Sequence, residues 1–369
     1  MLPKYPLKGS IILLLVSHTC YLNNDRNGKL LNVFTIVNFP NDGCTSGSTS
    51  GVCYTASECK SLGGTSSGSC ASGFGVCCLF SRGCGATTSV NNTYFASSSS
   101  DSSPCTFTVC KCSSDICQIR LNFNTFQTAS PYTASPNTDG NGANPVAHSK
   151  GQCLNSQFQV YADGPSPPTI CGTNTGYHMI VDAADNCNTL TFSWTSTETQ
   201  TWDIQVMQIP CTAEWRPPEG CLQYFTGTTG TIQSYNYAGG YHLASQKYSN
   251  CVRTEQGYCS IAYSAVITAS DFSLSGTAGT ALLQATQCSM DYVLIDNAGS
   301  DATTANVAGD RFCGGQLSTI TTGAGATVYS QVQPFIVSVV TDGQEVDTSN
   351  SATVEETNGF NLAYAQTAC

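Results

Sequence analysis

Two cysteines stand side by side in Gly73-Phe74-Gly75-Val76-Cys77-Cys78, at the end of a Ser/Gly-rich stretch, in a 369-residue chain that holds 22 cysteines. Adjacent thiols suit a metal centre, a redox centre or a disulfide framework. Most of the cysteines lie outside the Cys-x-x-Cys and Cys/His spacings that zinc needs. The four histidines, His18, His148, His178 and His242, are too far apart to form a His-x-x-x-His pair or a Cys₂His₂ finger. Disulfides are therefore the reading, and an oxidising compartment goes with them.

Serine chemistry has one formal match. Gly64-Thr65-Ser66-Ser67-Gly68 fits the Gly-x-Ser-x-Gly turn that exposes a nucleophile between a strand and a helix. No apolar strand precedes it and no helical pattern follows. The stretch Gly309-Asp310-Arg311-Phe312-Cys313-Gly314 opens with Gly-Asp but has Arg311 where a catalytic serine would stand. No Ala-Ala-His-Cys stretch supplies the histidine of a triad. Glu345, Asp347, Glu355 and Glu356 fall in a polar loop and read as solvated charge. The chain is expected to be no enzyme. A formal charge of −11 with only 13 basic residues argues against counterion-releasing contacts with nucleic acid or an anionic membrane surface.

The elements that must position any site are strands. Ile119, Leu121 and Phe123 alternate with Gln118, Arg120, Asn122 and Asn124, and Leu190, Phe192 and Trp194 alternate with Thr191 and Ser193. Trp202, Ile204 and Val206 follow the same period, as do Phe335, Val337 and Val339, and Phe360, Leu362 and Tyr364. Period two over short runs, with abundant Gly and few charges, predicts an all-β fold of antiparallel β-sandwich domains. At the N-terminus, Lys4 and Lys8 precede the apolar run 11–16 and then small or polar residues, the pattern of a signal peptide over 1–20. No later run approaches the ~20 apolar residues of a membrane-spanning helix. Composition divides the rest into a disulfide-rich module at 40–80, a β domain at 84–211, a linker at 212–220 around Pro217-Pro218, and a second β domain at 221–369. An internal repeat supports two copies of one sandwich: "DICQIRLNF" and "GYCSIAYSA" each bring a Cys into an alternating strand, and "TICG" pairs with "RFCG".

In the second β domain, "GTIQSYNY" (230–237) resembles the Gly-x-Ile-x-Ser-Pro-Asn-Tyr opening of the CUB domains of extracellular proteins, with Tyr235 where proline is usual. "CSMDYVLI" (288–295) resembles their Cys-x-x-Asp-x-Leu strand, and "GDRFCGG" (309–315) their Arg-Phe-Cys-Gly turn. The first β domain shares "CTFTV" (105–109) and "ICG" (170–172) but not the opening, so it resembles a divergent CUB domain. The segment 44–78 resembles the clip-type modules of arthropod secreted proteases and their inactive relatives. The whole order is similar to a group of arthropod secreted CUB-domain proteins.

The clip resemblance implies the pairs Cys44–Cys77, Cys53–Cys70 and Cys59–Cys78. The CUB resemblance and the repeat imply Cys221–Cys251, Cys288–Cys313 and Cys259–Cys369, with the equivalents Cys84–Cys105, Cys153–Cys171 and Cys117–Cys211. Cys110, Cys112 and Cys187 are extra. Cys112 has Cys117 as an alternative partner, and one of Cys110 and Cys112 takes Cys187. If the signal is cut after Cys20 an odd number of cysteines remains, and Cys110 is expected to be the free or intermolecular thiol, a route to self-association.

CUB domains often hold calcium through an upstream Glu, the Asp of Cys-x-x-Asp and a later Asp. Asp291 and Asp342 take the last two places, while 272–290 lacks the Glu, so calcium in the second β domain is expected to be weak, with loop capping by Asp291 and Asp342 as the other reading. Asn91, in Asn91-Asn92-Thr93, is the glycan acceptor of a secreted chain. Tyr224, Tyr235, Tyr237, Tyr241 and Tyr248 crowd one stretch. They are core, or, where exposed, a surface suited to protein or glycan contact, with Tyr235, Tyr237 and Tyr241 as its candidates. These features point first to a non-catalytic secreted binding or adhesion protein that recognises an extracellular protein or glycan. A structural constituent of a matrix, fibre or secretion comes second, and a regulator of a serine-protease cascade third.

Overall fold

The computed structural model describes residues 39, 41–47, 49–133, 150–162, 164–195, 197–198, 200–266, 271–274, 281–283, 288–301, 309–319, 326–343 and 358–369. The signal over 1–20, Glu345, Asp347, Glu355 and Glu356 lie outside them. The chain divides into two compact units, Met1–Cys78 and Leu79–Cys369.

In the first unit, strand Gly43–Ser46 pairs antiparallel with Thr49–Tyr54, which pairs with the start of Gly75–Arg82, placing Cys53 opposite Cys77 and Val52 opposite Cys78. The helix Ala56–Ser61 is a single turn and a half, begun by a capping box in which Thr55 and Glu58 each bond the other's backbone N–H. Its Cys59 is buried. Neighbouring residues of a strand face opposite sides, and this is the use of the adjacent pair: Cys77 bonds Cys44 on one strand, and Cys78 bonds Cys59 on the helix. A third bridge joins Cys53 and Cys70. A Cβ added to Gly75 would lie 2.8 Å from the sulfurs of both, so glycine is required where the chain passes this bridge. Three bridges at about 2–4 kcal/mol each hold this unit, whose described residues form little core of their own.

The second unit holds two β-sandwiches. One sheet of the first sandwich runs, strand beside strand, through Thr93–Ala96, Thr201–Pro210, Ile116–Gln127 and His178–Asp182. The facing sheet runs through Thr87–Thr88, Cys105–Val109, Asn188–Trp194 and Ser156–Tyr161. The alternating positions fill the space between them: Leu121, Phe123, Phe192, Trp202, Ile204 and Val206 are all buried. Phe192 stacks on Trp202 at 4.1 Å between centroids, and Phe95 on Phe107 at 4.7 Å. Trp194, read as a core position, is only half-buried, because it ends its strand.

The second sandwich sets Cys221–Phe225, Lys247–Val252, Phe335–Val340, Tyr292–Ile295, Arg311–Gly314 and Ala281–Leu283 against a sheet of Thr229–Gln233, Gly359–Ala368, Tyr258–Ala265 and Val328–Ser330. Phe335, Val337, Val339, Phe360, Leu362 and Tyr364 point inward. The chain is thus nearly all β, as its period-two pattern requires.

Cys84–Cys105, Cys117–Cys211 and Cys153–Cys171 staple the first sandwich, and Cys221–Cys251, Cys259–Cys369 and Cys288–Cys313 the second. The expectation for Cys110 is corrected: it is bonded to Cys187. Its strand neighbour register explains why, since Val109 lies opposite Asn188 and the next residues outward on the two strands are Cys110 and Cys187. Cys112 is disulfide-bonded as well, and no described cysteine is free. Mass mapping of non-reduced peptides is expected to recover Cys110 with Cys187 and no alkylated Cys110. An alkylated Cys110, or a covalent dimer on a non-reducing gel that this residue joins, would contradict the register.

Candidate functional site

Strand Ile116–Gln127 turns Ile119, Leu121 and Phe123 into the first core, so Gln118, Arg120 and Asn122 point away from it. On the neighbouring strand they stand opposite Asp182, Ile180 and His178. An outer face of that kind is usually wet. Here His178 is 7% exposed and Ile180 4%, because the second sandwich lies on them, and Ile180 packs with Cys221, Tyr224 and Cys251.

The join between the two sandwiches is polar as well as apolar. The Tyr224 backbone N–H donates to His178 Nε2 at 2.8 Å, and the Tyr235 hydroxyl donates to the His178 carbonyl at 2.9 Å. The Phe225 ring lies edge-on to the imidazole, 5.2 Å between centroids. Beside them, the Asn236 N–H donates to Asn174 Oδ1 at 2.7 Å, and Asn236 Oδ1 accepts the Thr173 N–H at 2.8 Å. Asn236 Nδ2 is spent on the Tyr241 carbonyl, and Asn174 Nδ2 on that of Cys171. Two further crossings are Gln246 Nε2 to the Thr169 carbonyl at 2.9 Å and the Ala244 N–H to the Gly151 carbonyl at 2.9 Å. Asn236 adopts φ +61°, a left-handed conformation open to Asn and Gly. Its side chain occupies the space that a Cβ on Gly172 or Gly239 would take, 2.0 and 2.1 Å from Oδ1. The "ICG" turn of the first sandwich and the "SYNY" turn of the second therefore interlock.

Burial drives the His178 imidazole down to about 3, and the nearby Arg120 guanidinium adds to the shift. A lone pair that accepts the Tyr224 N–H requires the neutral ring in any case. Burial likewise raises Tyr177 to about 12 and holds Tyr235 and Tyr248 well above the ordinary phenol range. The imidazole and phenol groups of the seam are therefore neutral around pH 7, with Arg120 as the charge beside them.

Of the three tyrosines singled out as contact candidates, Tyr235 is 1% exposed and belongs to the seam, so it is no surface residue. Its position is the one where the resembled motif has proline, and the ring is what reaches His178. Tyr237 and Tyr241 are half-buried. The Tyr237 hydroxyl donates to Asp271 Oδ1, and burial, followed by that carboxylate, raises it to about 12.

Asp291 is 3% exposed, and its Oδ1 accepts the Asp342 N–H at 2.7 Å. The two acids picked out for calcium are therefore neighbours. Asp271, one residue before the span that lacks an acid, is bound to Tyr237. A calcium ion asks for six or more oxygens, and among the described residues the one convergent set of three metal-ligating side chains is Cys84, Asp101 and Cys105, two of which are bonded to each other. Asn91 Oδ1 accepts the Gln208 N–H at 2.8 Å, and Thr93, the third residue of its sequon, is fully buried.

Residues 218–367 match a family model described as animal CUB domain, and the chain carries a CUB domain there. No curated protein matches the chain. Among solved structures, the CUB1-EGF-CUB2 domains of rat MASP-1 are similar at 15% identity with a TM-score of 0.25, over 77% of this chain and 99% of that one. The CUB1-EGF-CUB2 domain of human MASP-1/3 gives 16% and 0.23, over 74% and 98%. The full extracellular region of zebrafish Gpr126/Adgrg6 gives 11% and 0.23, over 77% and 36%.

Two outcomes follow from the seam. His178 has its folded pKa below the unfolded value of 6.5, so its contribution is complete above 6.5 and is lost as pH falls from there toward 3. Stability against urea, disulfides intact, is expected to drop by about 2 kcal/mol more between pH 7 and pH 5 in the parent than in His178→Gln, at ~1.4 kcal/mol per pH unit. An equal drop in both contradicts the neutral imidazole. Gly172→Ala places a Cβ at φ +77° on top of Asn236, and it is expected to cost about 2–4 kcal/mol through strain and unmade buried bonds. A cost under about 0.5 kcal/mol, the range of a neutral surface change, would show that the two turns do not interlock.

Proposed function

We propose that this chain is a non-catalytic secreted protein that recognises an extracellular protein or glycan through its two sandwiches acting as one body. The observation that carries this reading is the seam. A CUB domain is joined to a second sandwich by buried hydrogen bonds with fixed donors and acceptors, so loops of both are presented in a fixed relation. Preorganisation of that kind reduces the ordering cost of binding. Two described groups with chemistry for catalysis are committed elsewhere: His178 accepts a backbone N–H inside the seam, and Tyr237 is tied to Asp271. Twenty described cysteines in ten bridges, from Cys44–Cys77 to Cys288–Cys313, suit an oxidising extracellular setting.

A second reading, a structural constituent of a matrix or secretion, draws on one surface. The outward positions of the sheet Cys105–Val109, Asn188–Trp194 and Ser156–Tyr161 are Thr106, Thr108, Thr189, Thr191, Ser193, Gln157, Gln159 and Tyr161, with no charge among them. Uncharged sheet faces favour self-packing.

Immobilised, disulfide-intact chain exposed to extracellular fluid of its source is expected to retain a defined protein or glycan, with retention abolished by reduction. The chain alone is expected to sediment as a monomer. Concentration-dependent assembly with nothing retained would transfer the case to the structural reading, and cleavage of any retained protein by the pure chain would overturn the non-catalytic one.

A further inference from the structure

At one end of the seam lies an open cleft of about 290 Å³, large enough for two or three residues of an extended peptide. One wall comes from the first sandwich, with Gln118, Ile180 and Asp182, and the other from the second, with Leu222, Lys247 and Tyr248; the loop 165–168, containing three prolines, closes the side. None of these residues belongs to the Asp291 and Asp342 pair. We propose that this cleft binds a short segment of a protein partner that carries a basic side chain and, close by, an acidic one. The inference rests on the binding role proposed above.

Three observations select that ligand. Asp182 stands directly opposite Gln118 in the strand register, and directly opposed residues share a face of the sheet. Gln118 is 3% exposed, yet its Oε1 has no hydrogen-bond partner among the described residues. A buried acceptor without a donor is uncommon and destabilising. An ammonium or guanidinium brought in from the cleft supplies several donors, enough for the carboxylate of Asp182 and, with a small turn of the amide, for the Gln118 carbonyl as well. Lys247 is exposed on the opposite wall, and the ion pairs seen among the described residues, Lys111–Asp185 and Arg253–Glu255, involve neither it nor Asp182. The two rim charges are of opposite sign and belong to different sandwiches. A partner segment with one charge of each sign complements both, and a segment of a single sign meets repulsion at one wall. Between them, Ile180, Leu222, Tyr248 and the proline rings offer apolar surface to the aliphatic stem of a lysine or arginine. Because the loop is proline-rich, little of its freedom remains to be lost on binding.

The test uses the full chain with disulfides intact, isotope-labelled at isoleucine and leucine methyls, and capped tripeptides as probes: Lys-Gly-Glu, Lys-Gly-Lys and Glu-Gly-Glu. Lys-Gly-Glu is expected to shift the Ile180 and Leu222 methyl signals with a Kd on the order of 1 mM, as suits so small a ligand. Asp182→Asn and Lys247→Gln, both on the rim and outside the cores, are each expected to weaken it about fivefold to tenfold. Absence of those shifts, or equal shifts from all three peptides, overturns the cleft. Retention of an extracellular partner is measured separately on the double variant Asp182→Asn/Lys247→Gln. Loss of retention supports the cleft as the seat of recognition; undiminished retention overturns it while leaving the binding role in place.

Discussion

One neutral imidazole sets the condition on which the two-sandwich unit depends. His178 Nε2 accepts the Tyr224 N–H, and its carbonyl accepts the Tyr235 hydroxyl, so a single residue of the first sandwich fixes both the edge strand and the opening turn of the second. An imidazolium at that position would have no lone pair to offer and would sit near Arg120. The turn pair Gly172 and Asn236 then sets the depth to which the sandwiches approach, since only a glycine leaves room for the asparagine side chain. Disulfides hold each sandwich together, and this seam holds the pair.

The division of labour has a physical logic. Each sandwich has an aromatic and aliphatic interior that accounts for its own folding, with stacked rings such as Phe192 on Trp202. Apolar burial is non-directional, and by itself would leave two such bodies free to slide over one another. Hydrogen bonds with fixed donors and acceptors, buried where water cannot replace them, select one arrangement because every alternative leaves groups unpaired. A protein that presents loops from two domains to one partner gains from this kind of joint, and the cleft between Asp182 and Lys247 exists only because the joint sets its width.

Much of the fold is written in period two. Phe123, Trp202, Val337 and Leu362 each lie in a run whose alternation gives strand and core face at once. Gln118 shows where that reading ends. Alternation assigns it to solvent, correctly for an isolated sandwich, but a second sandwich covers the outer face, and no local pattern encodes what a face is covered by. The same holds for Tyr235: a tyrosine in place of proline signals something unusual, while its partner 57 residues away on another sandwich is invisible without the fold. Asn236 and Gly172 both sit inside motifs legible in the sequence, "GTIQSYNY" and "ICG", yet their contact belongs to the space between two domains. Cys110 is a different case: cysteine parity after a signal cut at Cys20 points to a free thiol there, whereas the strand register places Cys110 beside Cys187 through local pairing alone.

Hydrogen exchange at the Tyr224 and Asn236 amides tests the seam most directly, because both N–H groups donate across it and neither is needed for pairing within a sheet of the other sandwich. If the seam is a fixed joint, both amides exchange only as slowly as the core amides of Ile204 and Val337, and both speed up together as pH falls below 6.5 once the intrinsic rate is corrected for. Exchange of Tyr224 and Asn236 at the rate of surface loops at neutral pH, with Ile204 and Val337 still protected, would show that the sandwiches move independently and would contradict the account.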